Sequence, residues 1–170
     1  MKDFGTLREL LGGLWHATHP IRFQSILTTG AILPEPDIDE KDRWKTSQGK
    51  ECYPYVRILG GVSLFDFEGF DPVAYTQRYL ISTWREFVPY RERWGCSVWI
   101  EIDRAKIAAN FLSGVDVVKK WKCGNAYRHT IMPGIEAAHI GPLPSSAFKR
   151  AFVARADNGD LEQLPLLPVV

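Results

Sequence analysis

The segments of this chain with β-strand character crowd into its second half, where turns or one short helix separate them. The first half is mostly helical and loop-like. Such an order lacks the regular strand–helix–strand alternation of a parallel sheet, so it points to an α+β fold. The clearest strand is 97–102, which alternates side by side along Ser97-Val98-Trp99-Ile100-Glu101-Ile102; 115–118, 127–132, 135–140 and 148–154 read as further strands. The last two flank a Gly141-Pro142-Leu143-Pro144 turn. Earlier, residues 2–11 read as a short helix broken at Gly12-Gly13, Leu14–Thr18 as a strand, and Pro20–Thr29 as a helix with Pro20 in its first turn and Gly30 as its stop. Residues 56–59 and 61–67 read as strand material. Asp71-Pro72 opens a helix in which Val73, Gln77, Leu80, Trp84 and Phe87 follow at three- and four-residue steps, giving it one core-facing side as far as Pro89. Asp103 caps a small helix through Asn110.

At 170 residues the chain has the length of one domain, here residues 1–156, with a polar and then Leu/Pro-rich tail at 157–170. Twenty-one Lys and Arg against 20 Asp and Glu leave a formal charge of +1, which argues against a protein that grips nucleic acid mainly through phosphates. Three cysteines stand far apart with no CxxC pair, as expected for reduced thiols and a cytoplasmic location. No apolar run approaches the roughly 18 residues of a membrane span, so no membrane association is expected. Phosphate-loop, GxGxxG and GxSxG motifs are missing, and no Cys/His spacing resembles a zinc site, so no metal is expected. Residues 34–54 carry three prolines and a charged run, and read as a long exposed loop of the kind that binds or covers a ligand.

Three segments stand out together. The first runs Trp15-His16-Ala17-Thr18-His19-Pro20-Ile21-Arg22 and on to Gly30. The second is Gly61-Val62-Ser63-Leu64-Phe65-Asp66-Phe67, and the third Gly134-Ile135-Glu136-Ala137-Ala138-His139-Ile140, running into 148–153. Their order and content resemble the ADP-ribosyltransferase fold, most closely the DarT-type, DNA-modifying toxin transferases. The resemblance covers residues 14–153. It implies split β-sheets with flanking helices, NAD as substrate, and an antitoxin or inhibitor protein as a further partner.

By that resemblance Glu136 is the catalytic carboxylate. Cleavage of the nicotinamide–ribose bond passes through an oxocarbenium-like state whose leaving group is already cationic, so one carboxylate suffices to stabilise the developing charge. His16 and Thr18 would hold the adenosine-side ribose, and Ser63 and Phe65, on one side of their strand, would meet a ribose and the nicotinamide ring. Phe65 reads equally well as plain core. The family also uses an arginine before the middle strand; Arg43 and Arg57 both qualify, and the choice stays open. Arg22 stands where DarT-type sequences often have Asn.

Arginine-modifying relatives place a second Glu two residues before the catalytic one, where this chain has Gly134, so a macromolecular acceptor other than arginine is expected, a base of single-stranded DNA or RNA first. Trp44 and Tyr53 among Lys41, Arg43 and Lys45 suit base stacking, as do Lys119, Lys120 and Lys122 around Trp121, although each set also reads as solvated surface. An NAD glycohydrolase, or a non-catalytic binding or inhibitory module on the same fold, is the alternative.

Overall fold

Strand β1 (Leu14–Thr18) ends at His19 and Pro20, where helix α2 (Pro20–Thr29) begins; the His19 ring accepts from Ile21 N–H at its start and Gly30 closes it by donating to Ile26 O. The computed structural model describes residues 4–156 and 161–167. Before β1 lies α1 (Phe4–Leu10), and after α2 come β2 (Ala31–Ile32), α3 (Tyr55–Ile58), β3 (Gly61–Asp66) and α4 (Pro72–Arg78). The remainder is β4 (Cys96–Ile102), α5 (Arg104–Ile107), β5 (Phe111–Leu112), α6 (Gly114–Cys123), β6 (Glu136–Ile140), β7 (Leu143–Pro144), β8 (Phe148–Arg155) and β9 (Leu161–Leu164).

The architecture is α+β. Seven strands form one antiparallel sheet in the order β5-β6-β3-β1-β4-β8-β9, and β2 and β7 pair separately. Two-residue alternation sends successive side chains to opposite faces. Leu14, Val62, Leu64, Val98, Ile100 and Val153 therefore pack under Phe23 and Leu27 of α2. Trp15, Phe65, Trp99 and Phe152 pack on the other face under Leu7 and Leu10 of α1 and the chain around Trp84 and Phe87. Each buried indole finds an acceptor, Trp15 at Leu10 O and Trp99 at Pro89 O, both at 2.8 Å.

The central strand is paired unequally. β1 pairs with β4 from Trp15 to Thr18, but with β3 only at Leu14–Asp66 and Trp15–Phe65. Beyond Trp15 the two strands part.

Several elements differ from their sequence reading. Residues 115–118 are helical, within α6, because the Ser113 hydroxyl and the Asp116 carboxylate cap each other's backbone N–H. That reciprocal cap outweighs the β-branched run of valines. Residues 56–59 fall mostly in the helical turn α3 rather than in a strand. Residues 127–132 form no strand; they cross the molecule as irregular chain, with Thr130 O accepting from Tyr55 N at 2.9 Å and the His129 ring donating to Tyr53 O at 2.7 Å. The helix opened by Asp71 does form and is capped by its carboxylate, but it stops at Arg78. Val73 and Leu80 are solvent-exposed, and Trp84 and Phe87 reach the core from a separate short turn. The tail contributes β9, which pairs with β8. No helix among the described residues is long and apolar enough to cross a membrane.

Candidate functional site

The parting of β1 and β3 opens a cavity of about 490 Å³, walled by α2, the 32–38 loop, Trp44, and the chain around Arg91 and Trp94. His16, Thr18, Arg43, Arg57, Ser63, Phe65 and Glu136 all line it. Residues up to 120 positions apart in sequence thus face one space.

Glu136 opens β6 opposite Phe65, and its side chain is only 1% exposed. A tight turn carries it there. Glu136 N–H donates to Met132 O at 2.9 Å, and its carboxylate Oε2 in turn accepts from Met132 N–H at 2.9 Å. Oε1 accepts from the Ser63 hydroxyl at 2.8 Å. Within the turn Gly134 adopts φ +80°, and a β-carbon at Gly114 would stand 2.2 Å from its carbonyl oxygen, so α6 begins in direct backbone contact with the turn. Burial pushes the Glu136 carboxyl up to about 7, against the opposing effect of its two hydrogen bonds. A carboxyl of that kind is half ionised near neutrality, able to accept a proton or a hydrogen bond from a reacting hydroxyl.

His16 spans the gap between β1 and β3. Its ring Nδ1 lies 3.0 Å from Ser63 O, and since a carbonyl only accepts, Nδ1 carries the proton. Burial first, and the nearby Arg22 charge as well, hold its pKa below the usual histidine value despite that hydrogen bond. The ring is therefore neutral at physiological pH and offers Nε2 as an acceptor. Thr18 is buried at the end of β1. Phe65 is both cavity wall and core, 5.2 Å from Phe87 and 5.4 Å from Trp99 between ring centres.

The two candidate arginines are not alike in their ties. Arg57 lies 4.0 Å from the Tyr53 ring centre and sends four hydrogen bonds to the carboxylates of Glu35 and Glu40. These pairs raise the Arg57 pKa and hold the Glu40 carboxyl at about 2. Arg43 bonds the same Glu35 and also Pro34 O at 3.0 Å. Both guanidiniums are mostly covered and neutralised, and Arg57 ties residues 35 and 40 of the 34–54 loop to α3.

Two more arginines line the cavity, Arg22 and Arg91. Arg22 donates to Asp42 O at 2.9 Å, tying α2 to the same loop. Arg91 and Trp94 escaped the sequence reading; the run Tyr90-Arg91-Glu92-Arg93-Trp94 just before β4 is the signal that carried them. The aromatic residues read as base-stacking surfaces are largely committed elsewhere. Tyr53 lies under Arg57, and Trp121 donates to His129 O and packs against Tyr127. Trp44 donates to Glu86 and packs on Phe87, yet it remains part of the cavity wall. Among the described residues no cluster of three or more His, Cys, Asp or Glu could hold a metal. No protein-family model matches the chain, and no curated protein matches it.

Proposed function

We propose that the protein is an NAD-dependent ADP-ribosyltransferase of the DarT-like kind, with Glu136 as its catalytic carboxylate. One observation carries this reading: a carboxylate buried at the start of a strand, hydrogen-bonded to Ser63, lines the same cavity as the neutral His16 ring. The opening between β1 and β3 also suits the split-sheet architecture of that superfamily. NAD is the substrate. Ionised Glu136 accepts a hydrogen bond from the ribose 2′-hydroxyl and stabilises the positive charge that develops as the C1′–N bond breaks. Nicotinamide leaves neutral, taking the bonding pair, so no acid has to protonate it. The acceptor nucleophile then attacks C1′ and gives up its proton, for which Glu136 is the nearest base. His16 Nε2 accepts from the second ribose, and Thr18 lies beside it. Phe65 walls the ring.

A base in a nucleic acid is the acceptor that the DarT-like reading favours, with Trp44 as the remaining aromatic at the cavity wall. The test is nicotinamide release from NAD by the wild-type protein and by Glu136→Gln, followed by mass analysis of DNA, RNA and protein incubated with labelled NAD. Release by the wild type and a loss of at least about 100-fold in the variant are expected, with one ADP-ribose added to one class of macromolecule. Equal release by both proteins would sink the assignment of Glu136; free ADP-ribose as the sole product would make the protein a glycohydrolase. No release and no NAD binding would leave a non-catalytic module.

A further inference from the structure

The four arginines of the cavity divide into two sets. Arg43 and Arg57 are bonded to the carboxylates of Glu35 and Glu40. Arg22 and Arg91 are not bonded to any carboxylate among the described residues. The Arg22 guanidinium donates to the Asp42 carbonyl, its one hydrogen-bond acceptor among the described residues, and lies 5.7 Å from the centre of the Trp94 ring. That of Arg91 lies 4.7 Å from the same ring and 5.1 Å from the Phe87 ring.

Both cations are partly withdrawn from water, which costs free energy unless an anion compensates. Burial lowers the pKa of each below the ordinary arginine value, and each feels the other cations, Arg43 and Arg93 at Arg22, and Arg22 and Arg93 at Arg91. The acids nearby are Asp42 for Arg22 and Glu86 for Arg91, and one Glu86 oxygen is already occupied by the Trp44 indole at 3.1 Å. The Trp94 ring supports both guanidiniums; one Arg22 Nη2–H is taken by Asp42 O, and their other N–H groups have no hydrogen-bond partner among the described residues.

We infer that Arg22 and Arg91, stacked over Trp94, form the oxyanion end of the cavity and hold the diphosphate of the bound dinucleotide, an assignment that rests on the reading of the cavity as an NAD site. Two forks facing one space match the several oxygens of a diphosphate better than a single carboxylate would. Arg57, with its forks filled by Glu35 and Glu40, instead anchors the 34–54 loop.

The test measures binding of ADP-ribose and of inorganic pyrophosphate by calorimetry, and the KM for NAD, in wild type, Arg22→Gln, Arg91→Gln and Arg93→Gln. Each of the first two variants is expected to weaken both ligands by about 10- to 100-fold and to raise KM similarly. Arg93→Gln changes charge equally but lies outside the cavity lining, and is expected to move binding by less than about twofold. Arg22→Lys and Arg91→Lys keep the charge while losing the fork; they give intermediate losses and serve as the readout should a Gln variant fail to fold. Equal losses in all three Gln variants would mean a diffuse attraction and overturn the site. So would weakened binding of a single-stranded oligonucleotide with ADP-ribose unaffected, which would hand the pair to an acceptor strand. Arginine-dependent ADP-ribose binding without nicotinamide release supports the diphosphate site and removes the transferase reading. Nicotinamide release with KM unchanged in both variants removes the diphosphate site alone, and a wild type that binds neither ligand overturns both.

Discussion

His16 and Glu136 are held by one residue: Ser63 accepts from the imidazole through its carbonyl at 3.0 Å and donates to the carboxylate through its hydroxyl at 2.8 Å. Main chain and side chain of a single strand position thereby set the separation of the two groups proposed to grip opposite ends of a folded dinucleotide.

Ser63→Ala separates these two roles. The carbonyl that orients His16 remains, while Glu136 loses a hydrogen bond that favours its ionised form. The Glu136 pKa then rises further above about 7. The acid limb of nicotinamide release is expected to shift upward by about one pH unit, with the plateau at high pH largely kept. A pH–rate profile showing loss at every pH and no shift would contradict this coupling.

Stability responds in the opposite sense to activity. The folded-state pKa of Glu136, about 7, lies above the ordinary 4.5, so between these values the folded protein binds more protons than the unfolded chain. Stability from this group is complete below pH 4.5, falls as pH rises to about 7, and is flat above. Glu136→Gln removes that penalty: its amide donates to the Ser63 oxygen while its carbonyl accepts from Met132 N–H. The variant is expected to be more stable than wild type by on the order of 3 kcal/mol at pH 8, and near equal at pH 4. Denaturant melts at the two pH values measure the difference.

Gly114→Ala strikes the turn that presents Glu136. The added methyl meets the Gly134 carbonyl oxygen at 2.2 Å, a backbone atom that can move only with its turn. A loss of about 2–4 kcal/mol is expected, together with a fall in nicotinamide release beyond what the unfolded fraction explains. Unchanged melting in the variant would show that α6 and the turn shift apart freely.

Arg57→Gln unties the loop. Its guanidinium, on α3, holds both Glu35 and Glu40 of the first part of the 34–54 segment. Amide exchange across 35–53 is expected to accelerate while that of β1 and β4 stays slow. With the Glu40 carboxyl held at about 2, the wild-type tie survives mild acid and weakens only as pH falls from the ordinary 4.5 toward that value. Exchange at pH 4 and pH 7, corrected for intrinsic rates, checks the second half.

Elements governed by local rules were legible in the sequence. The bounds of β1 and α2 follow from Pro20 and Gly30 and the start of α4 from the Asp71 cap, and β4 from its run of β-formers, although Ser97 to Ile102 are buried on both faces rather than alternately. Residues 115–118 misled because a β-branched run says strand, whereas the cap formed by Ser113, two residues before the run, and Asp116 within it decides for helix. The stripe from Val73 to Phe87 failed for a tertiary reason: Tyr75 and Trp84 meet across a break in the helix, their ring centres 6.5 Å apart. Within the cavity, the resemblance carried by three segments named His16, Ser63 and Glu136. Arg91 and Trp94 belong to no motif and reach the space only because the chain before β4 folds against α2, with the His19 ring 5.6 Å from Trp94.

The early end of the β1–β3 ladder carries a consequence for how such a protein can change. The chemistry proposed for it lies in the middle of the sheet, among groups whose spacing the surrounding strands enforce, whereas the 34–54 segment that rims the opening is fastened through side chains such as Arg22, Arg57 and His129. On the proposed reading, substitutions in that rim alter which molecule is admitted without redrawing the arrangement of His16, Ser63 and Glu136 beneath, so a change of target and a loss of turnover are separable events.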